Sequence, residues 1–168
     1  MRQNISILLL TAFALALLAE GPQKPAETFV WRRGNQMIGR LSVPKGKRVE
    51  VYDYLEGVVT TLRYQDGAYI MLQAGSMYRL PLFSDPEYKL ISSTERDTKT
   101  TRVGQCGSGK LNWREDNYKP KKLIGERPPN VFAWPTPNIG YANVSSDRKS
   151  EFDNALDSFV REAEKAHR

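Results

Sequence analysis

The chain has 168 residues, 40% of them hydrophobic and 26% charged, which is the balance of a globular domain and excludes a disordered or fibrous one. Lys and Arg number 25 against 19 Asp and Glu, giving a net charge of +6. One cysteine, Cys106, excludes an internal disulfide framework, and one histidine, His167, removes most imidazole catalysis and histidine-based zinc chemistry.

Arg2 precedes an uncharged, largely apolar run from Ile5 to Ala19, followed by Glu20, Gly21 and Pro22. As a helix that run reaches about 22 Å, short of a hydrocarbon core of about 30 Å. A basic start, a short apolar stretch and small residues near its end have the form of a secretory signal peptide over 1–19. Cleavage after Ala19 is expected, with Ala14-Leu15-Ala16 as a second small-x-small site. No cysteine stands near either junction, which excludes a bacterial lipoprotein anchor. The expected location is secreted or periplasmic; the alternative is an uncleaved leader, and only through it would the chain meet a membrane.

Residues 20–28, with Pro22 and Pro25, read as a flexible spacer, and 29–168 as a single globular domain. The stretch 29–91 is β-rich. Phe29–Arg32 and Gln36–Val43 pair around Gly34-Asn35, and Arg48–Tyr54 (RVEVYDY) is another strand. Two runs joined by Asp66-Gly67 predict a hairpin with a two-residue type I′ turn. In that register Tyr64 faces Tyr69 and Leu62 faces Met71. Met77–Phe83 reads as an edge strand because Pro81 lacks an N–H, and Tyr88–Ile91 adds a further strand.

The stretch 92–144 reads as loop and strap: a polar, Thr-rich run from Glu95 to Val103, a glycine-rich one from Gly104 to Lys110, then a proline-rich strap between Pro120 and Pro137. A helix is expected over 145–166. Phe152, Ala155, Leu156, Phe159, Val160 and Ala163 recur at helical spacing, Ser145 or Ser146 caps the start, and His167 suits the negative end of the dipole. The expected fold is α+β, a small antiparallel β-sheet or partly open barrel with the proline-rich strap and one C-terminal amphipathic helix.

Gly104-Gln-Cys-Gly-Ser-Gly-Lys110 has the spacing of a phosphate-binding loop but has Leu111 where a magnesium-holding hydroxyl belongs. Cys106 has no imidazole near it in sequence to activate a thiolate, so it reads as structural. Carboxylates are then the acid–base groups present in number: Asp53, Glu56, Asp66, Asp85, Glu87, Glu95, Asp97, Glu115 and Asp116. Most sit beside turns or among charges and read as solvated surface.

Basic clusters interleaved with flat rings suit anionic or sugar-bearing polymers through charge attraction and stacking. The candidate ligand-binding residues are Trp113, Tyr118, Lys119, Lys121, Lys122 and Trp134. The functional expectation is an exported, non-catalytic binding or structural module of the cell envelope or extracellular space. Its partner would be an anionic or sugar-bearing envelope polymer or a protein; export separates it from most nucleic acid, and no metal or cofactor is expected. The alternative is a small carboxylate-dependent hydrolase of envelope polymers. A third reading has the helix or an edge strand docking on a larger assembly.

Overall fold

Glycines at two turns set the registers on which the fold is built. In the computed structural model, which describes residues 26–55, 57–75, 82–119 and 136–161, β1 (Ala26–Arg33) and β2 (Gln36–Pro44) close on the Arg33–Gln36 pair. Gly34 between them has φ +53°, the positive dihedral that a type II′ turn requires at its first central position.

β4 (Gly57–Arg63) and β5 (Tyr69–Gly75) form the hairpin expected around Asp66-Gly67, but its loop has three residues. The Gly67 N–H donates to the Tyr64 carbonyl at 3.1 Å, and the Tyr64 N–H donates to the Ala68 carbonyl at 2.9 Å. Only Gly67 has a positive φ, +87°, so a type I turn followed by a glycine bulge replaces the predicted I′ turn. The register moves by one residue, to Arg63–Tyr69, Leu62–Ile70 and Thr61–Met71. That shift puts Leu62 and Ile70, both fully buried, on the same face. Nothing lies within 4 Å of a Cβ built on Gly67. Gly67→Ala is therefore expected to cost about 1–2 kcal/mol through its dihedral alone, read as a lower denaturation midpoint with an unchanged slope.

Among the described residues all strand pairs are antiparallel. With β3 (Arg48–Tyr54), β6 (Lys89–Glu95), β7 (Lys99–Cys106), β8 (Leu111–Tyr118) and β9 (Thr136–Val144), β4 and β5 make a seven-stranded sheet in the order β3-β4-β5-β9-β8-β7-β6. β1 and β2 form a three-stranded sheet with β10 (Val160–Arg161), and α1 (Lys149–Asp157) is the one helix among the described residues. Neither sheet closes into a barrel, so the α+β class holds in its open-sheet form.

Much of 92–144 is strand, where the sequence suggested loop. Thr-rich residues fill β7, whose β-branched side chains suit a pleated surface, and Gly107 and Gly109, at φ +56° and +81°, turn the chain into β8. The glycine-rich run is thus a hairpin turn between two strands, not the strand-to-helix turn of a phosphate-binding loop. β9 takes a central place with Pro137 near its start. The strap expected before it and the edge strand expected from Met77 lie almost wholly outside the described residues. So do the leader, most of the spacer and the residues after Arg161.

The helix is shorter than 145–166. Its N-cap is Arg148 with no side-chain cap bond, not Ser145 or Ser146, and it stops at Asp157. The Ser158 hydroxyl donates to the Ala155 carbonyl and accepts the Ser42 N–H, both at 2.7 Å, which hands the chain to β2. The Phe159 ring fills space beside Gly39, where a Cβ would sit 2.5 Å from it. Val160, expected on the apolar stripe, is instead exposed in β10.

One face of the large sheet (Leu62, Ile70, Leu72, Ile139, Tyr141) packs against Trp31, Leu41 and Val43 of the small sheet and against Phe152, Ala155 and Leu156 of α1. On the opposite face Phe83, Cys106, Trp113 and Ala142 form a second buried cluster. No helix among the described residues is long and apolar enough to cross a membrane.

Candidate functional site

Trp113 and Tyr118 are five positions apart on β8, and an odd spacing in a strand sends two side chains to opposite faces. Trp113 is buried against Phe83 and Tyr88, at ring-centroid distances of 5.6 and 6.4 Å, with the Arg102 guanidinium over its ring. Tyr118 packs edge-on against Phe159 at 5.2 Å, with Lys99 Nζ over its ring at 5.6 Å. Lys119 is engaged by Glu95 at 2.6 Å. Lys121, Lys122 and Trp134 lie outside the described residues. The two described rings therefore do not share a surface, and each is stacked on a cation of its own chain.

The carboxylates also arrange differently from a solvated set. Glu115 and Asp116 are both buried, and as neighbours on β8 they face opposite ways. Asp116 accepts from Arg114 (2.9 Å to Nη2), Lys99 Nζ (2.6 Å) and the Thr101 hydroxyl (2.7 Å). Arg114 also donates to Asp157 and Asp153 of the helical segment, and the Tyr141 hydroxyl donates to Asp153 at 2.9 Å. Burial pushes the Asp116 carboxyl up, but these donors outweigh it and hold it below the usual carboxylate range. The group is an ionised anchor between sheet and helix.

Glu115 accepts from Asn138 Nδ2 at 2.9 Å, the Leu82 N–H at 3.1 Å and Arg102 at 3.3 Å. It has no second carboxylate on its face of β8, so Glu115 and Asp116 cannot flank one scissile bond. Among the described residues no group of His, Cys, Asp and Glu could hold a metal ion. Cys106 is a buried free thiol whose Sγ donates to Asn143 Oδ1 at 3.4 Å, and burial raises its pKa, which disfavours the reactive thiolate.

What remains open is an edge. β3 ends the seven-stranded sheet, and among the described residues no strand lies beyond it. Val49, Val51, Tyr52 and Tyr54 are 43–57% exposed and the adjoining Leu55 is 95% exposed. Pairing with β4 runs without a register shift, and β3 holds no proline. Among the described residues the other three sheet edges are protected in known ways. β1 is bulged between Trp31 and Arg32, β6 is bulged between Leu90 and Ser92 and is mostly polar, and β10 has two residues.

The charges on β3 are neutralised from within. Glu50 accepts from Arg63 at 2.8 Å, which draws its pKa down, and Asp53 accepts from Arg33 at 3.2 Å. The same Arg33 donates to the Tyr54 and Leu55 carbonyls at 2.7 and 2.9 Å and so fixes the end of the strand. The sequence carried a signal for this edge. RVEVYDY places valines at odd positions and tyrosines at even ones, so apolar groups stand on both faces of β3. No family model, curated protein or solved structure matches this chain.

Proposed function

We propose that this chain is an exported, non-catalytic binding module of the cell envelope or extracellular space that takes an extended protein strand onto its β3 edge. The observation that carries the reading is the straight, unbulged β3, with exposed Val49, Val51 and Tyr52 on both of its faces. Strand addition draws affinity from main-chain hydrogen bonds along an open edge and selectivity from side chains that alternate above and below it. β3 offers both. The buried carboxylates support the same reading over hydrolysis, since each is held by cations or amides of its own chain. Export rests on the form of residues 1–19.

Two measurements test the proposal. The intact mass of the chain recovered from its native source is expected to lack residues 1–19; a full-length chain confined to the cytoplasm would contradict export. Proteins recovered with the tagged chain are expected to be lost on Val51→Lys with Tyr52→Lys, since both side chains are exposed and their replacement leaves the core intact. Retention of the same proteins by this variant would refute docking at β3.

A further inference from the structure

We propose that the strand docking on β3 is the β3 of a second copy of this chain, running antiparallel, so that two seven-stranded sheets join into one. This inference rests on the edge-docking reading and narrows it to one occupant. Joining through a two-fold axis perpendicular to the sheet keeps each face on its own side, so odd-numbered residues must oppose odd ones and even oppose even.

Full overlap of the seven residues Arg48–Tyr54 meets that condition with Val51 on the axis. Val51 then opposes Val51, Val49 opposes Asp53, Glu50 opposes Tyr52, and Arg48 opposes Tyr54. No like charges stand directly opposite, and Arg48 falls where it can lie over an aromatic face. Sliding one strand by two residues in one direction sets Glu50 against Glu50. Sliding it the other way sets Val51 against Asp53 and leaves Arg48 beyond the partner strand. Charge disfavours the first slide and loss of overlap the second, which leaves the register that uses the whole strand. Arg63 and Arg33 already neutralise Glu50 and Asp53 within each copy, so approach of a second edge meets little repulsion.

The pairing covers Val49, Val51 and Tyr52, the apolar groups that the monomer leaves to water. It also explains why this edge lacks the bulge present in β1 and β6. A bulge would break a ladder that the dimer needs.

The test is sedimentation equilibrium of the full chain from about 1 to about 100 μM, a range that brackets micromolar association. The unmodified chain is compared with Val51→Lys and with Ile91→Lys on the other exposed edge of the same sheet. Circular dichroism confirms that all three fold alike. The unmodified chain and Ile91→Lys are expected to dimerise equally, and Val51→Lys to raise the dissociation constant at least about tenfold. A chain that stays monomeric throughout overturns self-pairing alone, because the edge-docking reading fails only when native partners survive the β3 substitutions. Equal dimerisation by Val51→Lys overturns the β3 interface.

Discussion

Replacing Asp116 by Ala is expected to lower the unfolding free energy by about 3–5 kcal/mol at neutral pH, the scale of breaking a buried ion pair by removing one partner. The loss comes from what stays behind. Arg114 is largely buried and Lys99 mostly so, and both lose their fully buried carboxylate partner, while the Thr101 hydroxyl loses its acceptor. Arg114 keeps Asp157 and Asp153 of the helical segment, but both are more exposed than Asp116 and balance its charge less well. An exposed pair provides the contrast: Asp53→Ala, which removes the carboxylate beside Arg33 and leaves its bonds to the Tyr54 and Leu55 carbonyls, is expected to cost no more than about 1 kcal/mol.

The same residue sets an acid limb. Because the folded pKa of Asp116 lies below its ordinary value of 3.8, the unfolded chain binds the proton more readily. The contribution of the anchor is therefore fully present above that unfolded value and is lost as pH falls through the folded one. Urea denaturation at pH steps downward from 6 is expected to show the unmodified protein losing stability below about pH 4. Asp116→Ala should start lower and lack this part of the decline.

Trp113→Ala is expected to cost about 3–5 kcal/mol, since it empties a site enclosed by Phe83, Tyr88, Leu111 and the backbone of β7. Gly104 makes room for the indole: a Cβ there would lie 2.5 Å from Nε1 and 2.1 Å from the Lys89 carbonyl. Among the described residues the Trp113 Nε1 has no hydrogen-bond partner, so Trp113→Phe forfeits no hydrogen bond and is expected to recover most of the loss. Thermal unfolding of the two variants side by side checks this. Equal destabilisation would mean that the indole nitrogen matters in a way its surroundings do not show.

Asp116 and Trp113 owe their burial to partners distant in the chain. The hairpins around Gly34-Asn35 and Asp66-Gly67 were legible because their turn chemistry is local, although loop length shifted one register by a residue. β7 and β8 were not legible. Charged residues such as Arg114, Glu115 and Asp116 read as solvated, whereas pairing with Lys99, Arg102 and Asn138 buries them in a central strand. Their partners are distant in sequence, so no window of neighbouring residues reveals them.

The helix is shorter than its apolar spacing suggests for the converse reason. Phe159 and Val160 keep the helical spacing, but the contact of Ser158 with Ser42 and the space at Gly39 redirect the chain into β10. From sequence Trp113 reads as a ligand platform, because a tryptophan near basic residues looks alike on a surface and in a core. Of the site now favoured, Arg48–Tyr54 was recognised as a strand. Its place at the end of the sheet depends on β9 crossing to lie beside β5, which no local pattern gives.

The most direct test places a photo-activated cross-linking side chain at Val51, and separately at Ile91, of the chain produced in its native cell. A discrete cross-linked product is expected from position 51, either with a second copy or with one extracytoplasmic protein, and none above background from position 91. Products from both edges alike, or from position 91 only, would contradict the assignment of β3 as the strand through which this protein is bound.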